Sequence, residues 1–265
     1  VIVLFKSLSV SFDAYMKKPV QFVLSTFSFL FFNLLVLFAL FGIFLVFFIL
    51  MSVFQLTDNV VPFAILLAIL LVFYLYIMCG LCSALIKAYS TLTDGSKFSF
   101  MDFYRHSISK GWNIFTLCIL NLILIAIIAA PVVFAFVSYF PDHPMPYVDI
   151  ILLLMFLFAF FVLQFLFYPA YIAASVYDAG FVRSFALSFQ LLMKKHVFSL
   201  LLFAIYSLGI FTIIFPFVLA YALLNFYNFI WGFALAPFLA IIPLFVIFPI
   251  TYNSLIVFFK SYVGR

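Results

Sequence analysis

The chain has 265 residues, of which 70% are hydrophobic and only 7% charged. Soluble domains carry roughly 45–50% apolar and about 25% charged residues, so this composition excludes a soluble fold and makes lipid the solvent. The net charge of +5 comes from twelve Lys and Arg against seven Asp and no Glu. Because those cations lie at the ends of apolar runs, they point to an anionic lipid surface and not to nucleic acid.

A bilayer core about 30 Å thick is crossed by about 20 apolar residues in a helix. Uncharged runs of that length occupy 20–55, 61–86, 113–140, 150–176, 197–224 and 230–259. They lack the short alternating pattern of barrel strands, so the fold class is all-α integral membrane, with six transmembrane helices in a single domain covering 1–265. Lys17 and Lys18 precede a run far longer than the core of a cleaved leader. That first run also exceeds what a bilayer needs and must tilt, kink near Gly42 or project.

The connections at 56–60, 141–147 and 225–229 contain no Lys or Arg, and all twelve cations fall in the alternate segments. The positive-inside rule then predicts both termini on the cytoplasmic side of a plasma membrane. Three units of about 4–90, 98–177 and 181–260 repeat the same order: an amphipathic interfacial helix, an outward helix, a turn and a returning helix. The amphipathic segments are 4–18, 99–112 and 181–196, and Met16-Lys17-Lys18-Pro19-Val20 matches Met193-Lys194-Lys195-His196-Val197. Such parallel hairpins predict a pseudo-threefold arrangement. In the first segment Leu4, Phe5, Leu8, Phe12, Tyr15 and Met16 form the apolar face opposite Lys6, Asp13 and Lys17. In the third, Phe181, Phe185, Phe189 and Leu192 oppose Arg183, Gln190 and Lys194. In the second, Ser99 and Asp102 form a capping-box-like start. Lys17, Lys18, Arg105, Lys110, Arg183, Lys194 and Lys195 are the expected contacts to anionic headgroups.

Inside the spans no charged residue stands out, which argues against a proton-coupled pump. Asn33, Asn121, Gln164 and Asn253 are the candidates for a polar pathway, with helix–helix hydrogen bonding as the plainer role. Gly80, Pro169 and Pro249 sit at comparable depth on the returning helices and are candidate hinges, since a proline frees a carbonyl. Cys79, Cys82 and Cys118 fall short of a metal ligand set and read as small packing residues, so no metal and no cofactor are expected. The patch Thr93–Lys97 with Asp102, Arg105 and His106 holds an acid, a base and a cation. Turn and cap chemistry accounts for it, with a lipid-headgroup enzyme as the functional alternative. The outer turn 141–146, with three prolines beside Asp142 and His143, reads as a stiff structural turn.

The stretch 80–112 combines a returning helix, a connector with small residues, Lys97 and Ser99-Phe100, then Asp102 and an amphipathic segment. The stretch 171–196 carries Asp178, Gly180, Ser184, Phe185 and Lys194. In these features the chain resembles uncharacterised prokaryotic six-helix membrane proteins related to the membrane domain of glycerophosphodiester phosphodiesterases. The resemblance implies a prokaryotic membrane module and brings no catalytic residues with it. Mitochondrial carriers share the three-hairpin outline, but their proline-acid-base signature is missing, because Pro19 leads into Val20, Gln21 and Phe22. The expected function is a non-enzymatic, permease-like or lipid-handling module, with an accessory subunit of a larger membrane complex as the alternative.

Overall fold

The computed structural model describes residues 2–53, 60–139, 163, 166–194 and 243–263. The described residues form helices α1 (Ile2–Lys17), α2 (Pro19–Val53), α3 (Val60–Thr93), α4 (Phe100–Tyr139), α5 (Leu166–Val176), α6 (Phe181–Lys194) and α7 (Phe248–Val263), the last preceded by a π turn at Pro243–Ile247. No strand occurs among them. Among the described residues four segments are long and apolar enough to cross a membrane: Pro19–Ser52, Val61–Thr93, Phe100–Pro131 and Leu244–Ser261. The predicted span at 197–224, the outer turn at 141–146 and Gln164 lie outside the described residues.

The chain breaks between α1 and α2 because Pro19 has no N–H to donate to Tyr15. The Lys18 N–H closes the last turn on the Tyr15 carbonyl instead, at 3.1 Å. Proline then opens α2 at the position where its missing donor costs nothing. No such break separates the amphipathic segment 99–112 from the span that follows, and α4 runs unbroken through both. The lone Gly111 between them weakens a helix without stopping it. Ser99 starts α4 as expected, its Oγ accepting from the Asp102 N–H at 3.3 Å. α3 ends in a Schellman turn: Ser96 N–H donates to Thr91 O at 3.0 Å and Gly95 N–H to Leu92 O at 3.2 Å, with Gly95 at φ +93°. Asp178, at φ +52°, sits at the corresponding place past the end of α5.

α3, α5 and α7 meet at the end of the molecule that carries the lysines. Tyr252 of α7 packs edge-on against Tyr89 of α3, with ring centres 5.9 Å apart, and against Tyr168 of α5 at 5.4 Å. Tyr89 is fully buried and also touches Phe22 of α2 at 5.3 Å. Thr26 of α2 donates to its own Phe22 carbonyl, which leaves the Tyr89 hydroxyl to donate to Thr26 Oγ1 across 2.6 Å. By contrast the outer parts of α2 and α3 expose Phe38, Phe41, Ile65 and Ile69, as helices in hydrocarbon do.

The expected apolar face of α1 is packed only in part. Ser7, Ser11 and Tyr15 turn inward against α7, while Phe12 and Met16 are 49% and 61% exposed. On α6 Ser184 and Ser188 are buried, Phe181 and Phe185 pack against the cluster around Phe167, and Phe189 and Met193 are 52% and 66% exposed. In lipid the large apolar side chains have no reason to hide. Close helix contact selects small residues, here spaced four apart on one stripe.

Candidate functional site

Each candidate hinge lies where another helix is seated. At Gly80 of α3 an added Cβ would come within 2.2 Å of the Ser107 carbonyl of α4, and the Cα of Gly111 is 3.6 Å from that position. Only glycine permits this crossing. Pro249 of α7 is buried and deprives the Phe245 carbonyl of its usual helical donor four residues on. The Tyr15 hydroxyl of α1 takes that place, donating to Phe245 O at 2.9 Å. Pro169 of α5 is buried as well, and one turn of helix near it receives α6: Ser188 Oγ donates to the Leu166 carbonyl, and Phe185 stacks obliquely on Phe167.

The intramembrane asparagines bond to three different partners. Tyr74 Oη donates to Asn33 Oδ1 at 2.9 Å, joining α2 and α3. Asn121 Nδ2 donates to Tyr171 Oη at 3.3 Å, joining α4 and α5. Asn253 Oδ1 accepts from Thr93 Oγ1 at 2.8 Å, joining α7 and α3. Cys79 is buried in a cluster with Ile114, Leu117, Phe167, Ala170 and Ala174, with Cys118 packed against it. No group of His, Cys and Asp suited to a metal ion occurs among the described residues.

The expected lipid-contact cations separate into distinct settings. Lys18 Nζ donates to the carbonyls of Gly95 and Ser96, the second at 2.8 Å. Lys110 pairs with Asp178 at 3.2 Å. Lys17 and Arg183 are exposed, Lys194 closes α6, and Lys195 falls outside the described residues. Arg105 lines a cavity.

That cavity, of about 460 Å³, lies between the last turns of α3 and the first turns of α4. Its depth comes from small residues. Ala84 and Ala88, one turn apart on α3, are buried and leave room that larger side chains would fill. Phe98 and the buried Phe103 complete an apolar base. Above it stand Lys87, Lys97, Arg105 and His106, with Ser96, Ser99 and Asp102 among the remaining polar groups. Lys87 Nζ donates to the Val176 carbonyl at 3.0 Å, which holds the ammonium against the end of α5. His106 Nε2 lies 3.2 Å from Ser83 Oγ.

The 94–106 patch is thereby divided. Asp102, Arg105 and His106 enter one cavity, whereas Asp94 is paired with Lys260 of α7 at 2.6 Å. Lys87 was missed as a site residue because it reads as the charged end of a span. Its neighbours at three residues before and one after, Ala84 and Ala88, were the signal that space adjoins it. No protein-family model, no curated protein and no solved structure matches this chain.

Proposed function

We propose that this protein is a non-enzymatic, lipid-handling membrane module that engages amphiphilic substrates at the basic end of its helices. The observation that carries the reading is the cavity at α3 and α4, apolar at its base and cationic at its rim. A lipid presents the complementary arrangement of an anionic headgroup and an apolar body. The pairing of Asp94 with Lys260 and the contact of His106 with Ser83 favour binding over turnover at this patch.

The proposed architecture is six spans in three parallel hairpins with cytoplasmic termini, in the plasma membrane of a prokaryote as the resemblance implies. Residues 177 positions apart support the repeat: Ser7 and Ser184, Ser11 and Ser188, Phe12 and Phe189, Met16 and Met193 share identity and burial. A cyclic pattern of seats supports it further. The interfacial part of α4 crosses α3, α6 sits on α5, and α1 sits on α7. Each leading helix thus rests on the returning helix of the neighbouring unit.

Reconstitution into vesicles with headgroup-labelled phospholipid tests the function. Accelerated exchange of label between leaflets, relative to protein-free vesicles, is the expected result. Absence of exchange, with the chain isolated only as a fixed member of a larger complex, would replace this reading by the accessory-subunit one.

A further inference from the structure

Resting on the lipid-handling reading, we infer that the cavity between α3 and α4 is a headgroup site selective for a phosphomonoester lipid, of the phosphatidic acid type. Lys87, Lys97 and Arg105 set against Asp102 leave a surplus of two positive charges at the rim, His106 staying neutral because burial and then the Lys87 charge lower its pKa. A phosphomonoester carries close to two negative charges near pH 7, whereas a phosphodiester headgroup carries one. The cation geometry suits such a group. One of the three Lys87 donors is spent on Val176 O, which fixes the ammonium and leaves two for a ligand. Arg105 brings a planar fork of donors that matches phosphate oxygens.

Depth in the membrane selects the lipid over the free anion. On the flanking side of α4, Tyr104 and Trp112 are exposed two turns apart, and such aromatics settle at headgroup level. The cavity mouth opens between them in sequence, at Arg105, His106 and Ser109. The apolar base of Ala84, Ala88 and Phe103 offers nothing to inorganic phosphate but accepts the glycerol and first methylenes of a lipid.

The test is calorimetric titration of the full chain in neutral detergent with three probes: dioctanoyl phosphatidic acid, dioctanoyl phosphatidylglycerol and inorganic phosphate. Saturable binding of the first, at least about tenfold tighter than the other two, is expected. Lys97→Gln together with Arg105→Gln weakens it about thirtyfold. Lys6→Gln, an equal loss of charge per substitution elsewhere on the surface, leaves it unchanged. Gel filtration and circular dichroism establish that each variant is folded. Equal affinity for the phosphatidylglycerol probe, or an equal loss in Lys6→Gln, reduces the effect to general charge attraction and overturns the inference. Equal affinity for inorganic phosphate overturns the assignment to a lipid. Leaflet exchange that persists without any such selectivity leaves the lipid-handling reading standing while this inference fails. Selective binding without exchange does the reverse.

Discussion

Lys260 Nζ lies 2.6 Å from Asp94 Oδ2 and 3.4 Å from the Ser90 carbonyl, so the last helix holds the end of α3 by both charge and hydrogen bond. Lys18, at the opposite end of the sequence, holds the next two carbonyls, Gly95 and Ser96. The turn that carries Lys97 into the cavity is therefore clamped from both termini. The pair is partly solvated, with Asp94 60% exposed, and screening limits it to about 0.5 kcal/mol. A double-mutant cycle of Asp94→Asn and Lys260→Gln, read by thermal unfolding in detergent, is expected to give a coupling of that size. It shrinks further as salt is raised.

Gly80→Ala places a methyl group against the Ser107 backbone, which cannot move away as a flexible side chain would. Overpacking of this kind costs about 1–3 kcal/mol. Gly111→Ala is the internal comparison, since its Cβ would meet the Tyr76 ring at 3.5 Å and the Gly80 Cα at 3.6 Å, both ordinary contacts. Unfolding of the two variants in a denaturing detergent series should separate them clearly, with Gly111→Ala near the parent.

Tyr15→Phe removes the hydroxyl that serves the Phe245 carbonyl. The loss is expected at about 1 kcal/mol, near the range measured for hydrogen bonds between helices in membranes. Pro249→Ala restores a backbone donor at the position where proline withheld it. In that background the Tyr15→Phe penalty should fall toward zero, and a cycle showing full additivity would refute the proline-dependent role of Tyr15.

Ser188→Ile thrusts a branched side chain into the contact of α6 with α5 and removes the donor to Leu166 O. A destabilisation of about 2 kcal/mol is expected. Hydrogen exchange should localise the opening to 181–194. Ser11→Ile should produce the matching effect at 2–17 if the two leading helices are equivalent.

Helical class, lipid as solvent, the break before Pro19 and the cap at Ser99 were legible in the sequence because each depends on local chemistry or bulk composition. Which residues of the short helices seat against a neighbouring helix was not. Amphipathicity separates an apolar from a basic face, but it does not single out the small residues that make the close contact, Ser7 with Ser11 and Ser184 with Ser188. The carbonyl partners of the lysines were not legible either. Lys18, Lys87 and Lys260 read as lipid contacts or span ends, yet each binds backbone carbonyls near the end of a helix from another part of the chain. Nothing in a lysine's local sequence reports which helix end lies within its reach. The same is true of the cavity, whose volume depends on α3 and α4 meeting at Gly80 one turn away from Ala84.

The seating of α1 on α7 has a consequence for biogenesis. α1 leaves the ribosome well before α7, and the surface that receives Ser7, Ser11 and Tyr15 is made only after residue 243. At ordinary elongation rates that interval is on the order of ten seconds or more. Throughout it the polar stripe of α1 lacks the partner that covers it in the folded chain. Completion of α7 is thus the event that lets α1 dock, and a nascent chain stopped short of α7 would leave Ser7 and Ser11 without the surface that buries them.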